Sequence, residues 1–319
     1  MLQGFAHDGR MPIKMLKDKT CGGSHAKSAL ATRGSAAMTV IRQTKNILTN
    51  AGVSMPRLLY GTAWKGEHTA ALVANAVRAG FRGIDTAAQP KHYDEAGVGA
   101  GLATGGLPLR AALYLQTKFT PPASQDRERL PYLLTAPLAS QIEQSVVCSR
   151  HNLRTTYLDA LVLHSPLESR ARTLLAWRAM EQLVGSGAVR QLGISNCYGL
   201  AEFDALYRAA EIKPAVLQNR FYARTRHDRE LRAYCRAHGV VYQSFWTLTA
   251  NPDALASSTL RILAQRHGRT PAQILFRYLT HIDVVPLTGT SSPEHMCEDL
   301  AIFEFELEAR ECDALSVMF

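Results

Sequence analysis

Five side chains in this sequence can do proton chemistry if a fold gathers them. The stretch "GIDTAAQPKHYDE", residues 83 to 95, carries Asp85, His92 and Tyr93 within eight residues. Lys118 ends the apolar run "ALYLQTK", and His164 follows the run "ALVL". A tyrosine has an unperturbed pKa near ~10 and is a poor acid at neutral pH. A neighbouring ammonium favours the phenolate and lowers that pKa. A carboxylate paired with the lysine keeps it charged and oriented. A histidine across the site can hydrogen-bond a substrate oxygen or shuttle the proton. Such a set protonates a carbonyl oxygen as negative charge develops on it. It holds no nucleophile and no metal set, so a second reagent must act on the carbon, and hydride is the natural one. Singly, each residue has an ordinary reading: Asp85 a helix cap, Lys118 a chain reaching solvent, His164 a core histidine, Tyr93 a packing aromatic.

Whether they meet depends on the elements that carry them. From residue 56 onward, short apolar runs alternate with amphipathic stretches. The runs at 57–63, 81–85, 112–118, 159–165, 189–195, 215–219, 240–245 and 283–288 predict eight strands. They are rich in Val, Leu and Ile without strict alternation, as strands buried on both faces should be. Helical patterns fill 66–80, 138–151, 170–185, 199–211, 228–238 and 256–280. Gly80, Gly187 and Gly239 stand where helices should give way to strands. This rhythm predicts an α/β fold, a (β/α)8 TIM barrel. No G-x-G-x-x-G follows the first strand, which weakens a doubly wound alternative. In such a barrel, chemistry gathers where strands end. The ends here are Asp85, Lys118, His164, Ser195 with Asn196, Gln218 and Phe245, so topology brings these polar groups to one face.

Charge is uneven along the chain. Residues 1–50 hold eight Lys/Arg against two Asp, while the other 28 Lys/Arg and 25 Asp/Glu nearly balance. The basic excess therefore belongs to an N-terminal extension, 1–50, and the barrel to 51–319. No basic stripe on the body speaks for nucleic acid. No apolar run approaches the ~18 residues of a membrane span. The six cysteines form no C-x-x-C pair, which disfavours a zinc or dithiol site. A chain of this kind is expected to be a cytoplasmic monomer with reduced thiols. The Ser-, Ala- and Arg-rich extension leaves organellar targeting open.

With these residues in order, the chain resembles the aldo-keto reductase family. The similarity rests on "YGTAWK" (60–65), "GIDTA" (83–87), "LQTKF" (115–119), "LDALVLHSP" (158–166), "LVGSGAVRQLGISN" (183–196), "VLQNRFY" (216–222), and "RTPAQILFRY" followed by "VVPLTGTSSPEHM". The resemblance implies a barrel that binds NADPH and reduces a small-molecule aldehyde or ketone. It implies that Tyr93 is the acid, Lys118 and Asp85 its tuners and His164 the orienter of the carbonyl. Ser195, Asn196 and Gln218 match residues that hold the nicotinamide carboxamide. Phe245 matches an aromatic that stacks on that ring. Gly61 and Thr62 match a turn lining the cofactor, and Trp64 and Trp246 are expected to wall the substrate pocket.

Two departures sharpen the expectations. The family usually reads D-T-A-x-x-Y, but Pro90 occupies the tyrosine's place, so Gln89-Pro90-Lys91 reads as an insertion before Tyr93. The alternative is that His92, or no residue, fills the role, leaving a cofactor-binding sensor with little turnover. At the adenosine end, where the family commonly has P-K-S, the run is Pro286-Leu287-Thr288-Gly289-Thr290-Ser291-Ser292, His295 stands at the position of a phosphate-clamping Arg, and Asp299 replaces Asn beside Glu298. Backbone N–H groups of such a turn can still hold a phosphate, so NADPH is expected with NADH not excluded.

Overall fold

A computed structural model describes residues 45–104 and 109–319. Most of the proposed extension lies outside the described residues. The first described element is a hairpin of β1 (Asn46–Leu48) and β2 (Ser54–Pro56), which straddles residue 50, the expected end of the extension. Eight parallel strands follow: β3 (Leu59–Gly61), β4 (Gly83–Asp85), β5 (Tyr114–Phe119), β6 (Ala160–Leu163), β7 (Leu192–Ser195), β8 (Val216–Arg220), β9 (Val241–Phe245) and β10 (Val284–Thr288). They close into a barrel in chain order, with β10 pairing β3. Every strand expected from the sequence is present, because each apolar run is buried on both faces.

Helices α1 (Thr69–Ala79), α2 (Glu95–Leu102), α3 (Leu138–Asn152), α4 (Arg170–Gly185), α5 (Leu200–Ala209) and α6 (Arg229–Ala237) wrap the first six crossovers. The short α7 (Pro252–Leu255) precedes α8 (Ser258–His267) and α9 (Pro271–His281), and α10 (Pro293–Leu300) and α11 (Ala309–Ser316) finish the chain. The single helix expected over 256–280 is therefore two. Gly268 takes a left-handed φ of 61° as the C-cap of α8. Thr270 then caps α9 with Pro271 at its first position.

Two cores result. A large one lies between barrel and helices. A smaller one fills the barrel with Leu59, Tyr114, Ala160, Val216, Val241, Val285 and Leu287, and Met55 of the hairpin joins it as a floor. Each Val, Leu or Met among them taken from water contributes about 1.5–3 kcal/mol. The hairpin is held by polar bonds as well. The Thr49 hydroxyl donates to Gln191 Oε1 at 2.6 Å, and Asn50 Nδ2 donates to the Pro214 carbonyl at 3.1 Å. Helix α2 lies close against its neighbours through glycine. A Cβ at Gly99 would collide with the Asn152 carbonyl oxygen, and one at Gly101 with that of Ala70. That closeness sets where the segment before α2, with Tyr93, enters the barrel mouth.

Candidate active site

The site is built upward from a polar layer inside the barrel. Gln116, Gln218 and Gln243 project inward from neighbouring registers of β5, β8 and β9. Gln116 and Gln243 exchange bonds of 2.8 and 3.0 Å. Asp85, at the end of β4, sits on this layer. Its Oδ1 accepts from Gln116 Nε2 at 2.7 Å and from Gln218 Nε2 at 2.9 Å, and its Oδ2 accepts from Lys118 Nζ at 2.6 Å. Lys118 Nζ also donates to the Thr86 carbonyl at 2.8 Å. Lys118 is 1% exposed and does not reach solvent, contrary to the ordinary reading of a lysine at a strand end. Burial is the largest influence and opposes its charge, but the Asp85 carboxylate, Tyr93 and Glu95 together raise the pKa above the usual value.

Tyr93 completes this cluster despite the insertion. The Gln89 carbonyl accepts from the N–H groups of both His92 and Tyr93, at 3.1 and 3.0 Å, closing Pro90 and Lys91 into a tight turn. Gln89 Nε2 donates to the Ser124 carbonyl at 2.6 Å, and Gln125 Nε2 donates to the Ala88 carbonyl at 2.7 Å. On the other side, Asp94 caps α2 by accepting from the Gly97 N–H at 2.8 Å. Buried Glu95 accepts from Thr117 Oγ1 at 2.5 Å and Ser149 Oγ at 3.1 Å. Pinned at both ends, the segment brings the Tyr93 ring to 5.1 Å from Lys118 Nζ and 6.0 Å, edge on, from the His164 ring. His92 points elsewhere, packing on Trp64 with ring centroids 3.7 Å apart and planes tilted by 35° at the cleft rim.

The electrostatics differ from the simplest expectation for Tyr93. Burial among protein groups pushes its phenol above the ordinary value, and the Lys118 ammonium pulls it down only in part. The net shift is upward, so the phenol keeps its proton at neutral pH while one face stays open to the cleft. His164 is pushed down to about 3 by burial and by the Lys118 charge, which makes it a neutral imidazole. Its Nδ1 pairs with Thr120 Oγ1 at 2.7 Å, which leaves Nε2 for another partner.

One cavity of about 1080 Å³ runs over this floor to α10. Of the residues expected at the site, it is lined by Asp85, Tyr93, His164, Gly61, Ser195, Asn196, Gln218, Phe245, Trp64, Trp246, Thr288, Gly289, Thr290, His295, Glu298 and Asp299. Lys118 lies beneath that surface, behind Tyr93. Thr62 is a correction: its N–H and hydroxyl both donate to the Asp85 carbonyl at 3.0 Å, so it ties β3 to β4 and does not line the cleft. Asn196 holds His164 in place, donating from Nδ2 to its carbonyl at 2.9 Å. At the far end Thr288 Oγ1 donates to Asp299 Oδ2 at 2.7 Å. Burial pushes the Asp299 carboxyl up to about 6, with the Thr288 hydroxyl opposing. His295 stands exposed on α10.

Several features escape the sequence reading. The glutamine layer carries a signal that could have found it: Q-x-K stands one residue before the end of β5, and Q-x-R and Q-x-F end β8 and β9. Lys65 reaches across the cleft from the β3–α1 loop to the Gly289 carbonyl. Trp64, Asn196 and Trp246, each just past a strand, take left-handed φ values of 61°, 53° and 56°. Bulky residues seldom adopt that conformation, and here it aims both indoles at the cleft.

Comparison with known proteins agrees with the fold and the motifs. The model of the aldo/keto reductase family matches residues 57–317. A glyoxal reductase of Bacillus subtilis is 29% identical over 269 residues, 84% of this chain and 90% of its own. An aldo-keto reductase of Mycolicibacterium vanbaalenii is 31% identical over 244 residues, 76% of this chain and 80% of its own. The crystal structure of an aldo/keto reductase from Brucella melitensis superposes with a TM-score of 0.74 at 26% identity, covering 86% of this chain and 99% of that one. The match to the family model spans most of the chain and every strand of the barrel, so the chain belongs to the aldo/keto reductase family of oxidoreductases.

Proposed function

We propose that this chain is an NADPH-dependent carbonyl reductase that converts an aldehyde or ketone to an alcohol, with Tyr93 as the proton donor. The observation that carries the reading is the cluster of Asp85, Lys118, Tyr93 and His164 at the floor of one cleft. The reduced nicotinamide, when bound, supplies hydride to the carbonyl carbon. The cleft fits such a group: Phe245 offers a ring face beside the amide-bearing Asn196 and Gln218, and Lys65 offers a cation across the cleft from them. Gln218 uses its Nε2 on Asp85 and Gln243, which leaves Oε1 to accept from a carboxamide. Thr290, the Ser292-capped start of α10 and His295 would hold the 2′-phosphate. With no Arg or Lys at those positions, NADH is accepted as well.

The chain's own groups then handle the proton. Neutral His164 donates from Nε2 to the carbonyl oxygen if the Thr120 hydroxyl donates to Nδ1, and so orients it. As charge builds on that oxygen, the Tyr93 phenol gives up its proton, and the phenolate left behind faces the Lys118 ammonium. Asp85 keeps Lys118 charged. Its own oxygens are filled by three donors, so it does not compete for the proton. The sensor alternative drew on the displaced tyrosine and the altered phosphate clamp, and the pinned turn at Gln89 speaks against the first of these. The test is purified chain with NADPH or NADH and a reactive aldehyde such as 4-nitrobenzaldehyde, followed by nicotinamide absorbance. Turnover with a lower KM for NADPH is expected. Tight dinucleotide binding with no turnover across aldehydes and ketones would sink the reading.

A further inference from the structure

Arg220 ends β8 two residues after Gln218, so both side chains share the inward face of the strand, one rung of about 7 Å apart. Gln218 holds Asp85, which puts Arg220 at the barrel mouth above the tetrad. Its guanidinium carbon lies 4.3 Å from the Trp246 ring centroid, 5.5 Å from that of Tyr222 and 6.0 Å from that of Phe245. Its Nε is buried with no hydrogen-bond partner, and no ion pair to its guanidinium occurs among the described residues. An arginine that merely seeks water would not bury Nε in an aromatic cage. A guanidinium held against aromatic rings without a hydrogen-bond partner keeps its N–H groups free, and such a group matches carboxylate and phosphate oxygens. Trp246 holds this contact from a left-handed backbone, φ 56°.

We propose that Arg220 is an anion-binding residue of this cleft, taking the oxygens of a phosphate or carboxylate from the dinucleotide's diphosphate or from an acidic carbonyl substrate. The inference rests on the reading of the cleft as a dinucleotide and carbonyl site only for the source of the anion. Anion binding itself is tested without turnover, because Trp246 in contact with the guanidinium is a built-in reporter. Intrinsic fluorescence is titrated with inorganic pyrophosphate and with succinate in the native chain, Arg220→Met and Trp246→Phe. Saturable quenching in the native chain, with affinity lower by about tenfold to a hundredfold in Arg220→Met, is expected for loss of a charge-assisted pair. In Trp246→Phe the same anions bind with most of the signal gone. The source is read from two further arms. If the substrate supplies the anion, Arg220→Met raises KM for 4-carboxybenzaldehyde about tenfold or more and leaves benzaldehyde within twofold. If the cofactor supplies it, the dinucleotide Kd rises by that factor and the two aldehydes shift alike. Native chain that shows no anion-dependent quenching, or an Arg220→Met protein with native melting temperature and unchanged affinities in every arm, overturns the proposal. Anion binding without any reduction of aldehydes would instead remove the enzymatic reading and leave the site standing.

Discussion

At the Asp85 end of the cleft the polar side chains rise from barrel strands and hold one another. At the Asp299 end they stand on the loop after β10 and on one eight-residue helix. The first set is buried and cross-bonded: Asp85 alone accepts from three donors on β5 and β8. The second holds one side-chain pair, Thr288 with Asp299, beside an exposed His295. The contrast teaches where this fold fixes chemistry and where it leaves recognition adjustable. A group carried by a strand inherits the barrel's register, whereas a group on a loop answers mainly to its neighbours in sequence.

Substitutions at the two ends measure that contrast. Tyr93→Phe is expected to lower kcat/KM by about a hundredfold to ten-thousandfold, the range of a lost general acid, with dinucleotide Kd within twofold. An unchanged rate would move the proton donor elsewhere and break the comparison at its stronger end. Lys118→Met leaves the Asp85 carboxylate buried without its ammonium. Breaking such a pair costs about 3–5 kcal/mol, read as a lower midpoint in urea. A native midpoint would mean that the glutamine layer alone suffices to hold Asp85.

Asp299→Asn tests the looser end and has the smallest effect. The folded-state pKa of Asp299 is raised from 3.8 to about 6, so between those values the folded chain keeps a proton that the unfolded chain has lost. Stability therefore falls as pH rises through that window. The asparagine variant keeps an acceptor for Thr288 and avoids the charge. It should be more stable on the order of 2–3 kcal/mol at pH 8, with the gain vanishing toward pH 4. A gain that does not depend on pH would show that the carboxyl is not the cause.

The barrel was legible because each buried strand is an apolar run and glycines mark the returns at 80, 187 and 239, all with left-handed φ. The meeting of Asp85, Lys118 and His164 was legible because strand order brings distant residues to one face. What escaped has physical reasons. The apolar pattern runs from α8 into α9, so only the Gly268 and Thr270 caps separate them. Strands of three residues, as in the hairpin, give no period to read. Thr62 shares its sequence motif with cleft residues, but its hydroxyl finds the Asp85 carbonyl first. The direction of the Tyr93 shift depends on how much protein surrounds the ring, which spacing does not reveal.

The turn at Pro90 and Lys91 has a consequence for how such a mouth can be redesigned. Since the Gln89 carbonyl closes the turn and Gln89, Gln125 and Asp94 anchor its feet, the extra residues behave like a pleat sewn down on both sides. Length can be added at the fold of the pleat without pulling on the phenol beyond it. The rim above Tyr93 is thus a natural grafting point, where new contacts can be tried while the phenol stays in place.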